Sequence, residues 1–293
     1  MAMPVLGNMH VRDVIRVLEQ VGESDRAREL AAFDQDERLA DLVESGRWGP
    51  KPYEITQHQF GYIGPATSPS PWYIQDATKI QPDRSLIGKK IIVTLDKLRV
   101  YDYPGSGLHQ VLFDFSGDHQ NPDGSQGDRV HFTQNYAAQE SEGAGVSGFP
   151  IFSGLCVPKN GVNFSCSTTN VANNDDQKIL SFLNGDVFQK GITFINSINP
   201  VLPIVTDFAV GLTTAFAGRN QNVKVSEFNL GLDFSSIVTR AKLCVGSYIA
   251  AQAPDGKINW GQWGWWDNMI KQWDQKGYLP YNYIVFSISV QED

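Results

Sequence analysis

From Lys89 onward the chain repeats with period two. Ile91, Val93 and Leu95 alternate with other side chains, as do Val111, Phe113 and Phe115, then Phe228, Leu230, Leu232 and Phe234, and finally Ile284, Phe286, Ile288 and Val290. Successive side chains of a strand point to opposite faces, so this spacing predicts strands with one face on a core. Further strands are expected at 129–133, 151–157, 162–168 and 241–252, separated by the turn signals Pro104-Gly105, Pro122-Asp123-Gly124, Asn160-Gly161 and Asp255-Gly256. About eight such segments predict a mainly β fold, an antiparallel β-sandwich. Two helices are expected to interrupt it. One spans about 201–217, with Pro203 in its first turn and Gly218 at its end. The other spans about 264–276, where Trp266, Met269, Ile270 and Trp273 share a helical face.

Before Lys89 the period differs. Val11, Val14, Ile15 and Leu18 recur at helical spacing and Gly22 supplies a stop. Ser24 is placed to cap a second short helix, and Asp34 with Glu37 forms a capping-box pattern for a third that carries Leu39, Leu42 and Val43. Residues 1–46 are therefore expected to form a small helical module. Three short helices bury too little to stand alone, so the module should dock on the body or on a partner. Residues 47–88 carry Pro50, Pro52, Pro65, Pro69, Pro71 and Pro82 interleaved with Trp48, Tyr53, Phe60, Tyr62, Trp72 and Tyr73. The prolines forbid long regular elements and the aromatics suit contact with the body, which predicts an extended connector. Residues 89–293 are expected to form the β domain.

Composition narrows the function classes. Of 293 residues 41% are hydrophobic and 19% charged, the balance of a folded globule. The net charge of −8 repels phosphate backbones, and no basic patch stands out, so nucleic acid is excluded as an expected partner. The first residues lack a basic leader followed by an apolar core, which predicts a cytoplasmic location. Three cysteines give no disulfide framework. Cys156 and Cys166 flank Asn160-Gly161; a two-residue hairpin there sets Cys156 opposite Ser165 and turns Cys166 to the other face, so reduced, buried thiols are expected.

Candidate chemistry is sparse. Asp118, Asn121, Asp123 and Asp128 on one loop offer the oxygens that calcium prefers, although the same residues also favour turns for backbone reasons. The five histidines fall in no zinc spacing, and no G-x-S-x-G elbow occurs. A Cys156–His131 pair would need the fold to assemble it. Residues 191–218 form the longest apolar stretch, but Pro200 and Pro203 leave it too short for a resident membrane helix, so a packed crossover helix or a conditionally inserting segment is expected. Trp260, Trp263, Trp265, Trp266 and Trp273 cluster. Helical spacing assigns Trp266 and Trp273 to packing and leaves Trp260, Trp263 and Trp265 as a candidate stacking surface for a ligand such as a sugar.

The segment VRDVIRVLEQVGESDRARELAAF resembles the small helical adaptor modules that precede effector domains in bacterial conflict and defence proteins. That resemblance implies binding of a protein partner or self-association through residues 8–46, and an oligomer. The segment KKIIVTLDKLRVYDYPGSGLHQVLFDF is similar to the opening hairpin of C2-like β-sandwiches. Its first turn, Tyr103-Pro104-Gly105-Ser106-Gly107, has only Asp102 beside it, so the resemblance implies the architecture and not a calcium or lipid site. The expected function is a non-enzymatic recognition or effector protein. The alternatives are a membrane-active, pore-forming protein using residues 191–218, and a carbohydrate-binding protein using Trp260, Trp263 and Trp265.

Overall fold

In the computed structural model the period-two segments are strands. The described residues are 4–65, 72–118, 127, 129–172, 221–274 and 276–292. The strands are β1 (His58–Ile63), β2 (Trp72–Tyr73), β3 (Gln75–Asp76), β4 (Lys90–Val100), β5 (Leu108–Gly117), β6 (Val130–Gln139), β7 (Glu142–Gly143) and β8 (Phe149–Cys156). They continue with β9 (Val162–Val171), β10 (Asn222–Asp233), β11 (Ala241–Lys242), β12 (Gly246–Gln252), β13 (Trp263–Trp266), β14 (Met269–Gln272) and β15 (Tyr283–Val290). One sheet runs β3-β1-β12-β15-β4, with β7 and β8 also on β4. A second runs β11-β10-β9-β5-β6 and a third β14-β13-β2. The chain is thus mainly β, and among the described residues its strand pairs are antiparallel except the short β10–β11 contact. The helix expected at 201–217 and the apolar stretch 191–218 lie outside the described residues.

The two larger sheets face each other across one core. Phe286 of β15 lies 5.3 Å from Phe115 of β5 and 5.6 Å from Phe164 of β9, ring centre to ring centre. Phe113, Phe115, Phe152, Phe164 and Phe286 are all fully buried. Edge-on and tilted ring contacts of this kind add to the burial of their area.

Two expected hairpins do not form. β8 pairs with β4 in one sheet and β9 with β5 and β10 in the other, so the Asn160-Gly161 turn carries the chain across the core and Cys156 never faces Ser165. Gly161 adopts φ +94, and a side-chain carbon there would run into the Leu232 carbonyl, so only glycine fits. All three thiols are free, but only Cys166 is buried; Cys156 and Cys244 are partly exposed, and Cys156 and Cys166 lie in different sheets. β4 and β5, the segment resembling a C2-like opening hairpin, also part into different sheets. The turn between them passes through buried Tyr103 and the positive-φ Gly105 and Gly107.

The helix expected over 264–276 is instead the β13–β14 hairpin. Asp267 and Asn268 both take positive φ (48 and 63), the backbone of a two-residue turn matched to strand twist. The Trp-rich segment therefore has period two.

Near the N-terminus three helices form: α1 (Val11–Gln20), α2 (Ser24–Leu30) and α3 (Leu39–Glu44). α1 ends at Gly22 (φ +87), where the left-handed backbone closes the helix. The Asp34–Glu37 pattern does not cap α3, which starts beyond Arg38; Asp34 accepts the Asp36 amide in the preceding turn. Leu6, Val14, Leu18, Leu30 and Leu42 belong to the same buried cluster as the two sheets. A polar clamp seats this segment. Glu54, 1% exposed, receives Arg26 Nε at 2.9 Å and Nη2 at 2.5 Å, Trp48 Nε1 at 2.9 Å and the Lys51 amide at 2.9 Å. The Arg26 guanidinium lies 3.7 Å from the centre of the Trp48 ring.

Two outcomes follow from these buried polar groups. Glu54→Ala leaves the Arg26 charge half-buried and without its main partner, so it should lower the unfolding free energy by about 3 kcal/mol. Urea denaturation measures this, and a loss under about 0.5 kcal/mol would remove the clamp from the account. His58 hydrogen-bonds Ser226 at 2.8 Å, and burial depresses its pKa to about 4. Between that value and the ordinary 6.5 the unfolded chain binds more protons, so stability falls as pH drops through this window. His58→Gln should flatten that part of the stability–pH curve; an unchanged slope would contradict the assignment.

Candidate functional site

The sheet β3-β1-β12-β15-β4 is buried on both faces. Its second face carries Ile249 and Ala251 from β12 and Tyr283 and Val285 from β15, packed with Ile63, Ile74, Ile258, Trp260, Trp263, Trp265 and Ile270. The small third sheet supplies several of these and acts as a cover. Toward one end the cover stops and the outward row turns polar: Ser247 of β12 pairs directly with Ser287 of β15.

At that edge β4 is bulged. Lys97 pairs with Val285 and Leu95 with Phe286, so Asp96 has no partner across the ladder. Leu95 and Leu98 both belong to the inter-sheet core, which leaves Asp96 and Lys97 together on the opposite face. A bulge of this sort re-aims a side chain without disturbing the strand on either side. Here it puts a carboxylate beside Ser247 and Ser287, whose hydroxyls hydrogen-bond it.

The result is a cleft of about 400 Å³, within the range of small-molecule sites. Trp72 and Trp265, cross-strand neighbours on β2 and β13, form one wall. Asp96, Ser247, Val285 and Ser287 form the floor, and Gly64-Pro65, Ser147-Gly148 and Asn268 close the rim. Burial raises the Asp96 pKa above the ordinary carboxylate range, and the two serine hydrogen bonds pull it partly back. Among the described residues Asp96 has no ion-pair partner; its neighbours are hydroxyls. The arrangement offers a strong acceptor, two hydroxyls that donate or accept, and aromatic surface. No protein-family model, curated protein or solved structure matches this chain.

The tryptophans are distributed against expectation. Trp260, Trp263 and Trp265 are buried, at 6%, 8% and 9% exposure, and do not form an open stacking surface. Trp266 and Trp273 instead lie on the outer side of the hairpin, where Trp273 packs 5.6 Å from Trp266 and 4.6 Å from the exposed Tyr73. The cause is the period. In a strand Trp263 and Trp265 share the inward face and Trp266 takes the outward one. Of the three candidate ligand residues only Trp265 lines the cleft. Asp96, Ser247, Ser287 and Trp72 were not legible as a site, because no linear motif joins them.

Of the candidate calcium residues, Asp118 accepts Asn163 Nδ2 at 3.1 Å and faces Arg129 at 3.6 Å, while Asn121, Asp123 and Asp128 lie outside the described residues. Among the described residues no three His, Cys, Asp or Glu side chains are grouped to hold a metal ion. His131 on β6 faces Asp114 at 3.8 Å, and Cys156 lies in the other sheet, so the two do not form a pair.

Asp96 gives a stability outcome with a definite sign. A carboxylate whose folded pKa is raised opposes folding once ionised, and the penalty disappears as pH falls below its ordinary value of 3.8. Asp96→Asn should therefore raise stability at pH 7, with the gain fading as pH falls below 3.8. Thermal melts across that range measure it; a variant less stable than the parent at pH 7 would show that the carboxylate is a structural anchor.

Proposed function

We propose that this chain is a non-enzymatic recognition protein whose cleft beneath Trp72 and Trp265 takes a polar cyclic ligand of the carbohydrate class. The observation that carries the reading is Asp96, held at a bulge with two serines on the floor of an aromatic-walled cleft. Sugars present both features this lining suits. Their hydroxyls donate to a carboxylate, often in adjacent pairs, and their C–H faces lie against aromatic rings. A carboxylate that opposes folding but remains in a cleft fits a group kept for binding.

The lining favours binding over turnover. Glycoside hydrolysis by its commonest route needs two carboxyl groups across the bond, and the described lining holds one. Ser247 and Ser287 have no histidine among the described lining residues to act as a base. In this reading the two sheets that share a core act as a β-sandwich scaffold, and the helical segment 1–46 as its adaptor. The apolar side of that segment is used inside the chain, so a protein partner or a second copy would meet its charged outer side, where Arg12, Arg28, Asp25 and Asp36 are exposed. An effector role would place sugar recognition upstream of that contact.

Tryptophan fluorescence titration with a glycan panel tests the cleft. At least one glycan should bind, and Trp72→Ala and Asp96→Ala should each weaken it about tenfold or more, with the fold retained by circular dichroism. A flat response of the parent chain across the panel would retire the carbohydrate reading.

A further inference from the structure

Four of the seven exposed large apolar side chains among the described residues, Ile87, Ile237, Val238 and Val290, collect at one end of the β body. β4 begins there, and β8, β10 and β15 end there. Backbone contacts knit the loops together: Gly88 donates to Val157, Asp83 to Leu243 and Gln291 to Lys90, while Arg84 Nη2 donates to the Phe234 carbonyl at 2.9 Å. Ile237 and Val238, 47% and 79% exposed, stand at the tip of the loop that follows β10. That loop is braced from below. Asp233 accepts the Ser235 amide and hydroxyl and faces Arg240 at 3.3 Å and Lys242 at 3.7 Å, and Lys242 Nζ donates to the Ile237 carbonyl at 2.5 Å. Two apolar side chains are held out to solvent on a braced loop, and both the amide and the carbonyl of Ile237 are hydrogen-bonded.

The charge at this end runs against the rest of the chain. Overall the chain carries −8, yet Arg84, Lys89, Lys90 and Lys159 are exposed here, and none has a carboxylate partner among the described residues. Of the described carboxylates at this end, Asp233 is paired with Arg240 and Lys242 and Asp118 with Arg129, while Asp83, bonded by Ser85, and Glu292 keep their charge against the four cations. An apolar tip ringed by cations that have no carboxylate partner among the described residues matches a surface that is anionic outside and apolar just beneath. We infer that this end of the body docks peripherally on anionic phospholipid membranes, with Ile237 and Val238 entering the headgroup–acyl boundary and the cations lying at headgroup level. A protein partner would have to combine an acidic rim with an apolar socket. A bilayer containing anionic lipid provides both over any area. The inference is independent of the sugar cleft and does not involve residues 191–218.

The test is co-sedimentation of the full chain with phosphatidylcholine vesicles and with vesicles that also contain phosphatidylserine. Binding is expected only to the second kind, and it should decline steeply with added salt. Val238→Asp should reduce the bound fraction about tenfold, and the charge reversal Lys89→Glu with Lys90→Glu should do so at least as strongly. Both changes are at exposed positions, so unaltered thermal melts will show that the fold is intact. No sedimentation with either vesicle would overturn the inference, as would equal binding to both or binding indifferent to the lysine reversal. A parent chain that dimerises in light scattering, and a Val238→Asp variant that does not, would assign the apolar tip to a second copy instead.

Discussion

A sheet that must bury both faces governs this structure. In β15 the side chains alternate between two different cores: Ile284, Phe286 and Ile288 pack toward the second large sheet, and Tyr283 and Val285 toward the Trp-rich hairpin. A strand in that position is apolar almost throughout, unlike one with a solvated face. The hairpin exists to cover the second face. Where it runs short, the outward row changes to Ser247 and Ser287 because a half-covered position favours groups that tolerate water. The cleft is therefore the margin of a cover, and its polarity follows from the same burial rule that shapes the core.

The same rule explains how the N-terminal helices are seated. Each is short, and isolated helices of such length are marginal in water. Their apolar side chains extend the inter-sheet core, and the contact is fixed in register by Glu54, whose carboxylate is shared among Arg26, Trp48 and the Lys51 backbone. Deeper in, Asn282 and Gln252 form a second polar knot: Asn282 receives the Tyr101 and Asp102 amides, and Gln252 Nε2 donates to the Ile55 and Val225 carbonyls. These side chains tie the connector, both large sheets and the C-terminal strand to one another.

From β4 onward, outside the Trp-rich segment, strand positions were legible in the sequence because alternation reports local geometry, whereas β1–β3 lie in the stretch expected to be an extended connector. Pairing was not legible. Nothing local in Cys156–Val162 says whether a turn folds a strand back on its neighbour or sends it across a core, and Gly161 with its positive φ serves either. The Trp cluster misled for a related reason. Trp266, Met269, Ile270 and Trp273 satisfy a helical stripe, while the decisive feature was the pair Asp267-Asn268, both of which tolerate a left-handed backbone. Reading that pair as a turn changes the period and exchanges the buried and outward tryptophans. The cleft was illegible for a stricter reason: its parts come from β2, β4, β12, β13 and β15, and Asp96 faces it only through a register shift.

The order of strands has a consequence for biosynthesis. β15, the last strand described, lies between β12 and β4, and β1 pairs with β12 almost two hundred residues away, as with Phe60 opposite Ala250. A ribosome releasing this chain from its N-terminus exposes β1 and β4 long before their neighbours emerge. The sheet closes only when Tyr283–Val290 is free to slot in. Until then the nascent chain carries open, apolar strand edges, and the pace of folding is set by its most distant contacts.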